Sequence, residues 1–108
     1  MNAVSADSRK GWSVNMEDRS AALEITLLKR TYVLPWNQFL YAEGGDDEVR
    51  AVFATHDVII KGVGLMALLA DLAAQNVTVV QEPSRPDRFQ TGADRLIREV
   101  IVQKVEAG

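Results

Sequence analysis

Residues 58–73 read Val58-Ile59-Ile60-Lys61-Gly62-Val63-Gly64-Leu65-Met66-Ala67-Leu68-Leu69-Ala70-Asp71-Leu72-Ala73, and the change of period inside this stretch decides the fold class. Val58 to Lys61 is short, apolar and β-branched, which predicts a strand that Gly62 closes. From Leu65 the spacing changes. Leu65, Leu68, Leu69, Leu72 and Ala73 fall at i, i+3, i+4, i+7 and i+8, one apolar stripe of a helix of about three turns. Ala67, Ala70, Ala73 and Ala74 favour that helix, and Asn76 is positioned as its left-handed stop. Val77 to Val80 returns to a β-branched run and predicts a buried strand.

Upstream of this stretch the period is two. Leu23, Ile25 and Leu27 alternate with Glu24 and Thr26, the pattern of a strand with one buried face. The adjacent pair Leu27-Leu28 breaks the alternation. This predicts either a strand covered on both faces or a bulge before Tyr32, Val33 and Leu34, with Pro35 ending the strand. Gln38 to Glu43, which carries Phe39, Leu40 and Tyr41, and Val49 to Ala54, which carries Val52 and Phe53, flank Gly44-Gly45-Asp46-Asp47, a strong hairpin signal.

Downstream, Ser84 to Gly92 holds two prolines and predicts a long loop. Leu96, Ile97, Val100 and Ile101 fit a helical stripe that fails after Ile101, whereas Val100, Ile101, Val102 and Val105 are a β-branched cluster. The second pattern favours a strand over Ile97 to Glu106. The expected fold is mainly β, a β-rich α+β domain. It is drawn as a small antiparallel, partly open β-barrel of five to six strands with one helix over an opening.

The chain has 108 residues, enough for one domain and for a core without staples. Residues 1–20 lack periodicity and read as a flexible arm, with residues 21–108 as a single small domain. The absence of cysteine excludes disulfides, thiolate metal sites and a cysteine nucleophile. A formal charge of −3 offers no whole-molecule attraction to nucleic acid or anionic lipid. With no long apolar run and no secretory pattern at the amino terminus, the expectation is a cytoplasmic protein that does not enter a membrane.

Candidate chemistry is sparse. His56, beside Asp57, could serve as a general base or metal ligand, but Ser5, Ser8, Ser13, Ser20 and Ser84 fall in segments read as arm or loop, none within a Gly-x-Ser-x-Gly elbow. Thr55-His56-Asp57 therefore reads as a turn whose Asp bonds backbone amides. Glu43, Asp46, Asp47 and Glu48 crowd one hairpin tip, without the spacing of a calcium loop, and read as edge protection. Arg85, Arg88, Arg95, Arg98 and Lys104 are interspersed with Asp87, Asp94, Glu99 and Glu106, a mixed face that Arg95 and Arg98 could turn toward an anion. Phe39 and Tyr41, two apart, are expected on one strand face, where they could stack a base or pack in the core. Trp36 could anchor a ligand or lie across the core. The candidate ligand-binding set is therefore Trp36, Phe39, Tyr41, His56, Arg95 and Arg98, with no catalytic residue, metal or cofactor assigned.

Val58 to Met66, an apolar strand ending in Lys-Gly followed by a second apolar run, resembles the second signature of the Sm-like small β-barrel proteins. That resemblance implies a strongly bent barrel whose edge strands pair between subunits into a ring, often one that binds RNA. The functional expectation is a non-enzymatic, self-associating interaction or structural module, a homo-oligomer open to a protein partner. Binding of RNA or a small ligand in a ring pore or barrel mouth is the alternative.

Overall fold

The computed structural model describes residues 9–15, 20–84 and 95–105. Among these are nine strands and one α-helix: β1 (Arg9–Lys10), β2 (Trp12–Val14), β3 (Ala22–Thr26), β4 (Thr31–Pro35), β5 (Phe39–Gly44), β6 (Glu48–Phe53), β7 (His56–Val63), α1 (Met66–Ala73), β8 (Val77–Gln81) and β9 (Arg95–Lys104). The mainly β class is as expected. Five or six strands were not enough, and the strands form two sheets, neither closed into a barrel. One sheet runs β1-β9-β7-β6-β5 and the other β2-β8-β3-β4.

The chain crosses between the sheets at both edges. β1 becomes β2 through Gly11, and β4 becomes β5 through a single 3-10 turn at Trp36–Gln38. Gly11 has φ +104°, and a Cβ there would lie 2.8 Å from Ile97 Cβ, so the first crossing requires glycine. Residues 9–14 therefore belong to the domain rather than to an arm. Trp12, 4% exposed, is the residue that ties them down. Residues 1–8 and 16–19 of the expected arm, and 85–92 of the expected loop, lie outside the described residues, as do 93–94 and 106–108.

The core between the sheets is built from alternating positions in β3 and β7, and in β8 from Val77 and Val80 on either side of a register shift against β2. Leu23 and Ile25 of β3 are fully buried, as are Val58 and Ile60 of β7 and Val77 and Val80 of β8. α1 closes the core with Leu68 and Leu72, together with Leu65 at its N-cap, each fully buried, and packs against β5 and β6. Each such side chain contributes about 1.5–3 kcal/mol of transfer free energy. Ala73, the last position of the stripe, is exposed. The left-handed residue after α1 is Gln75, at φ 57°, rather than Asn76.

Irregular points account for the other differences. The Leu27-Leu28 break is neither a bulge nor a doubly covered strand. It opens a turn, with Leu27 N–H donating to Arg30 C=O at 2.8 Å, that folds β4 back antiparallel on β3. Gly62 does not end β7; it lies inside it, at a register shift opposite β9. A Cβ on Gly62 would stand 2.0 Å from Leu96 C=O. The same shift pairs Lys61 with Glu99 and Gly62 with Ile97, making Arg98 the extra residue of the bulge, and so lets Leu96 and Ile97 both be buried. That adjacent buried pair imitates a helical stripe, but β9 is extended over its ten residues. The acidic hairpin forms as expected between β5 and β6, with Gly45 N–H donating to Glu48 C=O at 2.8 Å.

Candidate functional site

The six candidate ligand-binding residues fall in four separate places. Trp36 and Phe39 belong to the core. Trp36 is 5% exposed, and its ring centroid lies 5.0 Å from that of Phe39 and 5.5 Å from that of Phe53. Phe39 completes the triangle at 5.4 Å from Phe53, and Trp36 Nε1 donates a long hydrogen bond to Val77 C=O at 3.4 Å. These tilted and edge-to-face contacts fill space between the sheets.

Tyr41 does not share a face with Phe39. Between them the β5–β6 register shifts, Phe39 pairing with Phe53 and Tyr41 with Val52, so Leu40 is an extra residue. The bulge reverses the alternation, leaving Phe39 inward and Tyr41 on the outer face, 48% exposed. Arg95 and Arg98 are also parted from the others. Arg95 is exposed at the start of β9, and Arg98 is half-buried at the β9 irregularity.

The outer face of the first sheet carries a row of charge across three strands. Arg50 of β6 sits opposite Glu43 of β5, and its guanidinium donates to the Asp57 carboxylate of β7 while lying 3.7 Å from Glu43 Oε2. The hydrogen bond to Asp57 holds the Arg50 guanidinium above its ordinary range. Asp57 thus binds a cation on a neighbouring strand rather than capping a turn, and His56-Asp57 begins β7. A shallow depression of about 470 Å³ beside this row is lined by Glu43, Gly44, Gly45, Asp47, Glu48 and Arg50. Among the described residues, no three His, Asp or Glu side chains converge as a metal ion needs.

His56 points the other way. It shares a face with Val58 and Ile60, which are buried between the sheets, and it pairs in register with Lys104. Its ring lies 5.5 Å from that of Tyr32 on the opposite sheet, and Arg30 Cζ lies 6.0 Å over the Tyr32 ring. His56 Nδ1 is 2.8 Å from Thr55 Oγ1. Sequence reasoning singled out His56 and missed Tyr32, Arg30 and the opposition to Lys104, because strand pairing sets all three. The alternation that buries Ile25 and Leu34 could have placed Tyr32 inward.

A second feature lies at the β4–β5 corner, where, among the described residues, both sheets end in an unpaired edge. Hydrogen bonds from Leu27 N–H to Arg30 C=O and from Trp36 N–H to Ala21 C=O fix the phase of the β3–β4 ladder. The backbone groups of Thr31 and Val33 therefore face away from β3. Val33 is 63% exposed, and Leu40 across the corner is 62% exposed. Among the described residues, no helix is long and apolar enough to cross a membrane. No family model, curated protein or solved structure matches this chain.

Proposed function

We propose that this chain is a non-enzymatic interaction module that self-associates through the β4–β5 corner, the edge of one copy mating with that of a second. The observation that carries the reading is the coincidence there of two unpaired strand edges with exposed Val33, Leu40 and Tyr41. Monomeric sheet proteins blunt such edges with Lys, Pro or bulges. β5 is blunted by its bulge at Leu40, and β4 only at its end by Pro35. Thr31 and Val33 are left available.

A second copy suits this edge. Antiparallel pairing about Val33 sets Thr31 opposite Pro35 of the other copy and Arg30 opposite Trp36, so no like charges meet. In its finer form the reading is Sm-like, with edge strands joining copies into a ring. Its support is the resemblance over Val58 to Met66, together with the kinked passage of β7 at Gly62 and the two edges open at one corner. α1 stands where the resemblance implies another strand.

The test is solution mass by light scattering on the purified chain across concentration and salt. A discrete dimer or ring supports the reading, and the mass of a single 11.9 kDa chain at every concentration refutes it.

A further inference from the structure

We propose that Arg30, Tyr32, His56 and Lys104 form a binding site for a small aromatic anion, a planar ring bearing a phosphate or carboxylate. The site lies at the end of the inter-sheet space remote from α1. Val63, three residues before α1, marks one end of the β7–β9 ladder, and the His56–Lys104 pair marks the other. The second sheet agrees with this. β8 follows α1 directly and runs away from it to Gln81, which pairs with Thr26, and the next turn carries Arg30 and leads to Tyr32.

The side chains of Arg30, Tyr32 and His56 form a continuous row across the gap between the sheets, and Lys104 stands across from His56 in register. The Arg30 guanidinium lies 6.0 Å from the Tyr32 ring, and the Tyr32 ring 5.5 Å from the His56 ring. His56 stands directly opposite Lys104, so their Cβ atoms are about 5 Å apart. Two π-faces thus lie between two permanent cations, a layout that matches a ring carrying a negative group. In the tautomer in which the Thr55 hydroxyl donates to His56 Nδ1, 2.8 Å away, Nε2 carries the imidazole proton and is a further donor to an anion.

Among the described residues, the nearby carboxylates are already occupied or face elsewhere. Glu82, just beyond β8, accepts a hydrogen bond from Leu28 N–H at 2.9 Å. Asp57 projects to the other face, toward Arg50. Among the described residues, no carboxylate forms an ion pair with Arg30 or Lys104. A small ligand fits better than a polymer. The net charge is −3, which offers a long phosphate backbone no whole-molecule attraction.

Because His56 is the sole histidine, its ring protons report on the site without ambiguity. The full chain is titrated with phenyl phosphate, inorganic phosphate, phenol and a single-stranded oligonucleotide while the His56 imidazole signals are followed by NMR. Phenyl phosphate is expected to shift them saturably, and inorganic phosphate and phenol to bind more weakly, by about tenfold or more. Lys104→Gln and Arg30→Gln, both at exposed positions, are each expected to weaken phenyl phosphate binding about tenfold with an unchanged amide spectrum. The proposal is overturned by the absence of a saturable shift, by equal binding in both variants, or by an oligonucleotide that binds far more tightly than phenyl phosphate. The titration reads binding whatever the oligomeric state, so its failure leaves the corner interface standing.

Discussion

Trp12 and Asp71 are joined across 59 positions of chain, the indole Nε1 of β2 donating to Oδ2 of the α1 carboxylate at 2.9 Å. This bond places an amino-terminal segment of polar composition into the domain and fastens it to the helix that closes the core. Trp12→Ala is expected to cost about 3–5 kcal/mol through the cavity it leaves. Asp71→Ala should cost about 1–3 kcal/mol, because the nearly buried indole N–H loses its partner. Urea denaturation of both variants checks this, and two neutral results would return residues 9–14 to the status of an arm.

Gly62 and Gly45 should respond in opposite directions to alanine. At Gly62 the added Cβ meets Leu96 C=O at 2.0 Å, so β7 and β9 must part, at a cost of about 1–3 kcal/mol or more. Gly45 has nothing within 4 Å of such a Cβ and no left-handed backbone. Alanine there should be neutral or stabilise by up to about 1 kcal/mol by restricting the unfolded chain. Thermal melts of the two variants side by side provide the comparison.

Gln75 holds a left-handed conformation, φ 57°, in the turn from α1 to β8. Gln75→Gly removes the steric conflict between Cβ and backbone and should raise stability by about 0.5–1 kcal/mol. Chemical denaturation will show this as a higher midpoint with an unchanged slope.

In the Glu43–Arg50–Asp57 row, the two carboxylates should not be equivalent. Asp57 is hydrogen-bonded to Arg50 and largely covered, whereas Glu43 lies 3.7 Å away in solvent. Asp57→Asn is expected to lower the melting temperature more than Glu43→Gln. High salt should shrink the effect of Glu43→Gln more than that of Asp57→Asn.

The elements legible in the sequence are those with an unbroken period. Leu23 and Ile25 alternate along a regular ladder, and Leu65, Leu68 and Leu72 lie on a regular helix, so their burial follows from spacing alone. Where a ladder slips by one residue, as at Leu40 and Arg98, alternation misassigns faces. Phe39 and Tyr41 part for that reason, and Leu96-Ile97 imitates a helix. β1 and β2 carry too few residues for any period, and only the partner strands reveal them. The His56 cluster was half legible. The residue is conspicuous, but its neighbours Tyr32 and Lys104 lie 24 and 48 positions away and arrive through sheet pairing.

Val33→Lys and Leu40→Lys put a charge on each side of the β4–β5 corner, at positions already more than half exposed. Each variant should keep its stability within about 0.5 kcal/mol, because neither side chain is buried in the single chain. The double variant should be monomeric in sedimentation at concentrations where the unmodified chain is not. An oligomer that survives both charges would place the interface elsewhere.

The most direct test of edge pairing is amide hydrogen exchange of the unmodified chain, read residue by residue from micromolar to millimolar concentration. The account predicts that exchange at Thr31 and Val33, whose amides face away from β3, slows as concentration rises, while the amides of β7 in the sheet interior stay unchanged. Exchange at Thr31 and Val33 that is fast and independent of concentration would contradict it.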